Sequence, residues 1–185
     1  MERQDRPQLA EIREKLTQWN GIQKREFLNC DTVPGGVPRG VICEITGSAR
    51  TEWILRLLQQ NPSLHTFWIE EQLTILPTAM QQRGVDLSRV LIAEAGDRLF
   101  QALRKALRTK LFECVVLPGA IEEVKMLKAL QLFARESNAT VFFLSKVPMH
   151  AWAIAFQLSA DWNHPGVHTY SVEVIKSKFT RSESS

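Results

Sequence analysis

The chain has 185 residues, of which 44% are hydrophobic and 23% are charged. This composition is typical of one globular domain with a sizeable core, and it excludes a disordered chain. No apolar run approaches the about 20 residues that a bilayer span requires, and the polar N-terminus lacks the apolar core of a signal peptide. We therefore expect a cytoplasmic protein without a membrane partner. The formal net charge of +3 is too small to indicate nucleic-acid binding by itself.

Residues 1–30 are predicted to form an amphipathic helix and a linker. Within residues 7–19, apolar side chains recur at helical spacing and share one face. These side chains are Leu9, Ile12, Leu16 and Trp19. Two interpretations stay open, because the face either packs on the domain or docks on a partner protein as an amphipathic helix does in a groove.

After a glycine- and proline-rich turn at residues 31–40, short apolar strands alternate with helices. The predicted strands span residues 41–46, 65–71, 89–95, 113–119, 140–145, 155–162 and 169–176. The predicted helices span residues 51–60, 73–83, 97–110 and 121–137.

This order of elements predicts the fold class. Strands separated by helices of about ten residues or more need crossover connections, which give a parallel sheet buried on both faces. The last two strands are joined too tightly for a crossover, so we expect them to be antiparallel. The prediction is a three-layer α/β domain over residues 31–180, with a mostly parallel sheet, helices on both faces, a C-terminal antiparallel strand pair and a tail at 181–185.

A segment resembling a phosphate-binding loop follows the strand at 41–46. A working loop reads GxxxxGK[ST], in which the glycines let backbone N–H groups surround the phosphates, the lysine neutralises them and the hydroxyl holds magnesium. The degenerate version here consists of Gly47, Ser48, Ala49, Arg50 and Thr51. It has arginine for lysine and is about three residues too short. A weak anion site and a tight strand-to-helix turn are the two interpretations, and the second is favoured.

Other parts of a phosphoryl-transfer site are missing. The strand at 113–119 ends in Leu117, Pro118 and Gly119, where a P-loop ATPase has an acidic residue that helps to hold magnesium. Glu70 and Glu71 end the predicted strand at 65–71. A catalytic base at this position would have to face a bound phosphate, and the shortened loop leaves no phosphate site. We therefore predict no ATPase activity and no catalytic residues.

The cysteines and histidines predict neither a metal site nor a cofactor. The three cysteines are widely spaced, and the four histidines lack partners at metal-ligand spacing. Cys43 and Cys114 fall inside apolar strands, where we expect buried thiols.

The ordered set of motifs resembles the ATPase core of RecA-like recombinases. The segment PGGVPRGVICEITG, residues 34–47, resembles the glycine-rich turn, first strand and start of the phosphate loop of that core. The segments that follow in the same order are 67–71, 83–95, 102–109, 113–117 and 140–145. The resemblance covers residues 33–180, and within the superfamily the chain looks most like the degenerate ImuA-type and SulA-type relatives.

These two relatives imply different functions. ImuA-type proteins act in the DNA-damage (SOS) response with a Y-family-like protein and a replicative-type polymerase, in error-prone translesion synthesis. SulA-type proteins block cell division by binding the tubulin-like division protein. Three retained features favour the first function, namely the glycine-rich turn, the remnant of the phosphate loop and the last strand with its two lysines. This function is that of a non-catalytic adaptor whose partners are members of the polymerase cassette and RecA. The SulA-type function is the alternative.

The segment VEVIKSKF, residues 172–179, resembles the recombinase strand that carries two closely spaced lysines. In RecA-type filaments these lysines reach the nucleotide of the adjacent subunit, and the resemblance assigns Lys176 and Lys178 to their positions. The alternative is that they protect an exposed edge strand by their charge.

Two features raise weak binding of single-stranded DNA as a further interpretation. The helix at 97–110 has a basic stripe, which either contacts phosphates or simply faces solvent. Its members are Arg98, Arg104, Lys105, Arg108 and Lys110. By resemblance, Trp152 and Trp162 flank the second DNA-binding loop, where they either stack on bases or pack on the domain.

Overall fold

The computed structural model describes residues 26–119, 121, 123–164 and 169–179. The helix predicted within residues 7–19 and the tail predicted at 181–185 lie outside these residues. The described residues form a short two-stranded ribbon and a seven-stranded sheet flanked by helices.

The ribbon pairs β1 (Phe27–Leu28) with β2 (Val37–Pro38). The sheet strands are β3 (Ile42–Thr46), β4 (Thr66–Glu70), β5 (Val90–Glu94), β6 (Cys114–Pro118), β7 (Thr140–Leu144), β8 (Ile154–Trp162) and β9 (Tyr170–Ser177). The helices are α1 (Arg50–Gln60), α2 (Pro77–Gln82), α3 (Leu99–Thr109) and α4 (Val124–Ser137). Short 3-10 turns at Leu87–Arg89 and Gly96–Arg98 flank β5.

The sheet has the strand order β5-β4-β6-β7-β3-β8-β9. All neighbours from β5 to β8 are parallel, and β8 pairs with β9 in the antiparallel sense. The predicted three-layer α/β class, with its mostly parallel sheet and C-terminal antiparallel pair, is confirmed. No helix in the described part of the chain is both long and apolar enough to cross a bilayer.

Alternate residues of the central strands build a separate core on each face of the sheet. On β3, Cys43 and Ile45 pack with α1 and α2, whereas Ile42 packs with α3 and α4. On β7, Phe142 belongs to the first core and Phe143 to the second. Because successive side chains of a strand point to opposite faces, each face of the sheet is covered by its own pair of helices.

Two expectations about individual elements are wrong. β5 is not buried on both faces, because it lies at the edge of the sheet, and its Leu91 is 52% exposed. The helix predicted at 73–83 is reduced to α2, which begins at Pro77. The preceding loop is held in a non-helical course by two carboxylates, since Glu70 accepts the N–H of Thr74 and Glu94 accepts that of Leu73.

Candidate functional site

The loop between β3 and α1, residues 47–49, lies at the carboxyl end of β3. In an open parallel sheet this is the end at which ligands bind. β8 has nine residues and β3 has five, and Thr46 at the end of β3 pairs with Ser159 of β8. The last residues of β8, 160–162, therefore project past the end of β3 and lie beside the loop.

Asp161 of β8 binds this loop through its carboxylate. Its Oδ1 accepts the N–H of Ser48 at 2.9 Å and the Ser48 hydroxyl at 3.1 Å. The N–H of Ala49 donates to the carbonyl oxygen of Ala160 at 2.8 Å, and the N–H of Trp162 donates to the Ser48 hydroxyl at 3.1 Å. Two loop amides of the kind that surround a phosphate are thus satisfied within the chain.

The surroundings of Asp161 favour its charged form. The Ser159 hydroxyl donates to Oδ2 at 2.6 Å. This hydrogen bond and those from Ser48 hold the pKa of Asp161 below its ordinary value, against the smaller opposing effect of burial. The carboxylate is therefore ionised at neutral pH, and it would repel the oxygens of an incoming phosphate.

Gly47 permits the close approach of the loop to β8. Its φ is +92°, and a Cβ at this position would lie 2.2 Å from the carbonyl oxygen of Ala160. A side chain is excluded both by this contact and by the left-handed backbone. The lone glycine of the degenerate phosphate loop thus makes room for a strand of the same chain.

The residues in the lysine and hydroxyl positions do not face an open loop. Nη1 of Arg50 donates to the carbonyl oxygen of Gly47 at 2.8 Å, so the guanidinium folds back on its own loop. Thr51 is exposed in the first turn of α1. The structure brings the predicted loop residues together in a tight strand-to-helix turn that is closed by hydrogen bonds.

The Glu70 carboxylate at the end of β4 is engaged by its own neighbours, and β6 ends without an acidic residue. Glu70 is buried, and its two oxygens accept the Trp68 indole N–H at 2.7 Å and the Thr74 hydroxyl at 2.7 Å. This carboxylate shapes the loop before α2. β6 ends in Pro118, which has no acidic group, and Gly119 donates its N–H to Leu144 of β7 at 3.1 Å.

Lys176 and Lys178 meet the loop between β7 and β8. Nζ of Lys176 donates to the carbonyl oxygen of Ala151 at 3.4 Å, and Nζ of Lys178 donates to that of Trp152. Burial and, to a smaller extent, repulsion by Lys178 lower the pKa of Lys176. The two predicted lysines thus donate hydrogen bonds to the carbonyl groups of adjacent residues in their own chain.

A buried carboxylate, Glu44 of β3, supports the same loop. Glu44 is fully buried and accepts the Gln157 amide N–H at 2.6 Å and the N–H of Met149 at 3.0 Å. A buried carboxyl group needs such partners, because it has lost its contact with water. Sequence reasoning located Glu44 inside the strand but missed this function.

The basic stripe lies in the open. All five members of the predicted stripe are exposed, whereas Leu103 and Leu107 point into the core. Among the described residues none of the ion pairs includes a member of this stripe. The exposure is compatible with both interpretations, phosphate contact and a solvated face.

The two tryptophans have different surroundings. Trp152 is 53% exposed, and the ammonium groups of Lys128 and Lys178 lie 5.7 and 6.0 Å from its ring centroid. Trp162 packs against the core and meets the Tyr170 ring edge-on at 5.7 Å. Of these two tryptophans, Trp152 is therefore the one that combines an exposed side chain with nearby positive charge.

The predicted buried thiols are confirmed. Cys43 and Cys114 are both fully buried and unpaired. Burial raises the pKa of Cys43 well above its ordinary value and that of Cys114 to about 12. Both remain thiols at neutral pH, so neither is a nucleophile. Within the described ranges, no three His, Cys, Asp or Glu side chains are arranged to hold a metal ion.

Asp161 is the site residue that sequence reasoning missed. It lies 113 positions from Ser48, and its only signal in the sequence is an aspartate near the end of a predicted strand. No protein-family model matches this chain, and no curated protein matches it at a significant level. The resemblance to RecA-like proteins therefore stays a prediction.

Proposed function

We propose that this protein is a non-catalytic, RecA-like adaptor of the DNA-damage response. Its ImuA-like task is to support error-prone translesion synthesis through contacts with members of the polymerase cassette and with RecA. The order of its motifs supports the kinship, and the three-layer α/β fold agrees with it.

One observation carries the non-catalytic part of the proposal. The Asp161 carboxylate accepts the N–H and hydroxyl of Ser48, so the degenerate phosphate loop is filled by an anion of its own chain. A bound nucleotide would have to displace this carboxylate and then separate the Ala49 N–H from Ala160. A short loop with one glycine offers no spare amides in return.

Isothermal titration with ATP and magnesium tests this point. We expect no binding tighter than about millimolar, because the loop amides are already paired. A micromolar dissociation constant would contradict the proposal and would favour a nucleotide-dependent protein instead.

Co-purification with separate candidate partners tests the adaptor function. The tagged chain is offered RecA, the translesion polymerase and the tubulin-like division protein in parallel. Capture of RecA or the polymerase supports the proposal. Capture of the division protein alone would assign the SulA-type function instead.

The two lysines permit a sharper test with RecA. If Lys176 and Lys178 approach the nucleotide of a neighbouring RecA subunit, binding should favour ATP-loaded over ADP-loaded RecA, because two ammonium groups gain from the additional phosphate charge. The Lys176→Ala/Lys178→Ala variant should lose this preference. Lys125→Ala/Arg135→Ala removes the same charge from α4 and should keep it. Equal binding of both nucleotide states by the unmodified protein would leave the lysines with only their intramolecular contacts.

A further inference from the structure

A polar cleft with a volume of about 230 Å³ opens beside the first residue of β9. Its walls come from three elements, namely α1, the turn after α2, and β9. They consist of Glu52, Arg56, Gln59, Gln60, Arg83 and Tyr170. Ligand pockets for drug-sized molecules occupy about 300–1,000 Å³, so this cleft is suited to a single side chain.

The cleft has more hydrogen-bond donors than acceptors. Arg56 donates to Asp31 through Nη2. Arg83 donates through Nε to both carboxylate oxygens of Glu52, at 2.7 and 2.8 Å. A guanidinium has five N–H donors, so most donors of both arginines have no acceptor in the described part of the protein. The charged side chains of the wall are two arginines and one glutamate, so its net positive charge favours a ligand that supplies oxygen acceptors.

Tyr170 adds another unused donor. Its hydroxyl oxygen is buried and has no hydrogen-bond partner among the described residues. Burial raises the pKa of Tyr170. The nearby Arg56 guanidinium lowers the pKa by a smaller amount. The hydroxyl therefore stays protonated at neutral pH and keeps an unpaired donor beside the cleft.

The adjoining strand has an open edge. β9 is the last strand of the sheet, and no strand within the described residues pairs with its outer side. A bulge interrupts its second half, since Leu158 pairs with Val174 but Gln157 pairs with Lys176. Residues 170–174 form the regular part of this edge.

The edge and the cleft are positioned to act together. Tyr170 and Val172 face the core on the α1 side of the sheet, which is the side on which the cleft lies. Side chains of a strand alternate between faces. Every second side chain of a strand added beside Tyr170 would therefore point toward α1, the side of the sheet on which the cleft lies.

We infer that the outer edge of β9 binds an extended peptide of a partner protein, and that the cleft accepts one acidic side chain of this peptide. Main-chain hydrogen bonds to residues 170–174 would hold the strand. The guanidinium groups of Arg56 and Arg83 would select a carboxylate, since their planar forks match its two oxygens. The inference goes beyond the proposed function and does not depend on it.

The first test uses a fluorescent peptide of about six residues, the usual length of a strand, with alternating threonine and valine and one central glutamate. Its control has glutamine at that position. Fluorescence anisotropy with the full chain should show binding of the glutamate peptide that is about tenfold tighter, because a charge-assisted contact is lost in the control. Equal affinities, or no binding at about millimolar protein, would overturn the inference.

Two further measurements test strand pairing and free-anion binding separately. Strand pairing uses the N–H groups of alternate residues, so N-methylation of one alternate set in the probe should abolish binding, and methylation of the other set should not. An identical effect of both sets would exclude strand addition. Inorganic phosphate is tested by calorimetry, and affinity equal to that of the glutamate peptide would identify a free-anion site instead.

Protein variants test whether Arg56 and Arg83 cause the preference for glutamate over glutamine. Arg56→Gln/Arg83→Gln should remove the preference for glutamate over glutamine. Lys125→Gln/Arg135→Gln loses the same charge on the opposite face of the sheet and should retain it. Circular dichroism verifies that both variants fold. The peptide comparisons with the unmodified protein decide the question even if one variant does not fold.

Discussion

Replacing Gly47 with alanine would test whether the degenerate phosphate loop is held against β8. The new Cβ would lie 2.2 Å from the carbonyl oxygen of Ala160 and 2.8 Å from Oδ2 of Asp161. Neither neighbour can move freely. The Ala160 carbonyl accepts the N–H of Ala49, and Asp161 holds Ser48. The substitution therefore forces the loop and the strand apart.

The expected loss of stability has two parts. A residue with a side chain in the left-handed region costs about 1–2 kcal/mol. Separating the loop from β8 breaks the two backbone N–H hydrogen bonds of Ser48 and Ala49, at about 1 kcal/mol each, whereas the exposed Ser48 hydroxyl can hydrogen-bond to water instead. The free energy of unfolding should therefore fall by about 3–4 kcal/mol, and Tm by about 10 °C for a domain of this size.

Gly96→Ala is the matched control. Gly96 also has a positive φ, +49°, but a Cβ there would meet nothing within 4 Å. Only the backbone part of the cost applies, so its Tm should fall by about 4 °C. Differential scanning calorimetry of both variants measures the comparison. Equal losses would show that the space beside Ala160 is not limiting, and the description of a closed loop would be wrong.

Two other predictions concern charge. Because the folded-state pKa of Asp161 is lowered, its stabilising contribution should be present above the unfolded value of about 3.8 and should vanish as the pH falls through the folded value. In urea denaturation, Asp161→Asn should therefore be less stable than the unmodified protein at pH 6, and this gap should narrow as the pH falls below about 3.8. A gap that does not change with pH would contradict this. If the α3 stripe contacts phosphates, affinity for single-stranded DNA should fall steeply with salt, and Arg104→Ala/Arg108→Ala should reduce the slope by about 1.4 in log–log units, at about 0.7 for each lost contact. An unchanged slope would identify a solvated helix face.

Local patterns in the sequence were sufficient to predict most elements of the fold. The helix predicted at 97–110 contains α3, and the strand predicted at 140–145 contains β7, which is buried on both sides as expected. Such signals are local, because they depend on the period of the backbone. The expectation for β5 was wrong because burial also depends on the position of a strand within the sheet, which no local pattern encodes.

The same limit applied to the candidate site. The shortened loop was visible in the sequence, and so were its missing lysine and its single glycine. The partner of the loop was not, because β3 and β8 lie far apart in the chain and become neighbours only through the strand order. Asp161 could be recognised as the partner of the loop only after it was known that β3 and β8 are neighbours.

The length of the loop and the length of β8 are two sides of one arrangement. A long phosphate loop needs free space past the end of β3, so that its amides can turn inward around a phosphate. Here β8 continues for three residues beyond its pairing with Thr46 and fills that space with backbone and with the carboxylate of Asp161. The N–H of Ser48 cannot serve this carboxylate and a nucleotide at once. If the chain descends from a nucleotide-binding fold, the loop amides that once bound a nucleotide now stabilise the domain itself. Other molecules would then have to bind at other surfaces of the protein. Among the described residues, the outer edge of β9, the basic face of α3 and the exposed side chain of Trp152 offer hydrogen-bonding groups, charge and apolar area for that purpose.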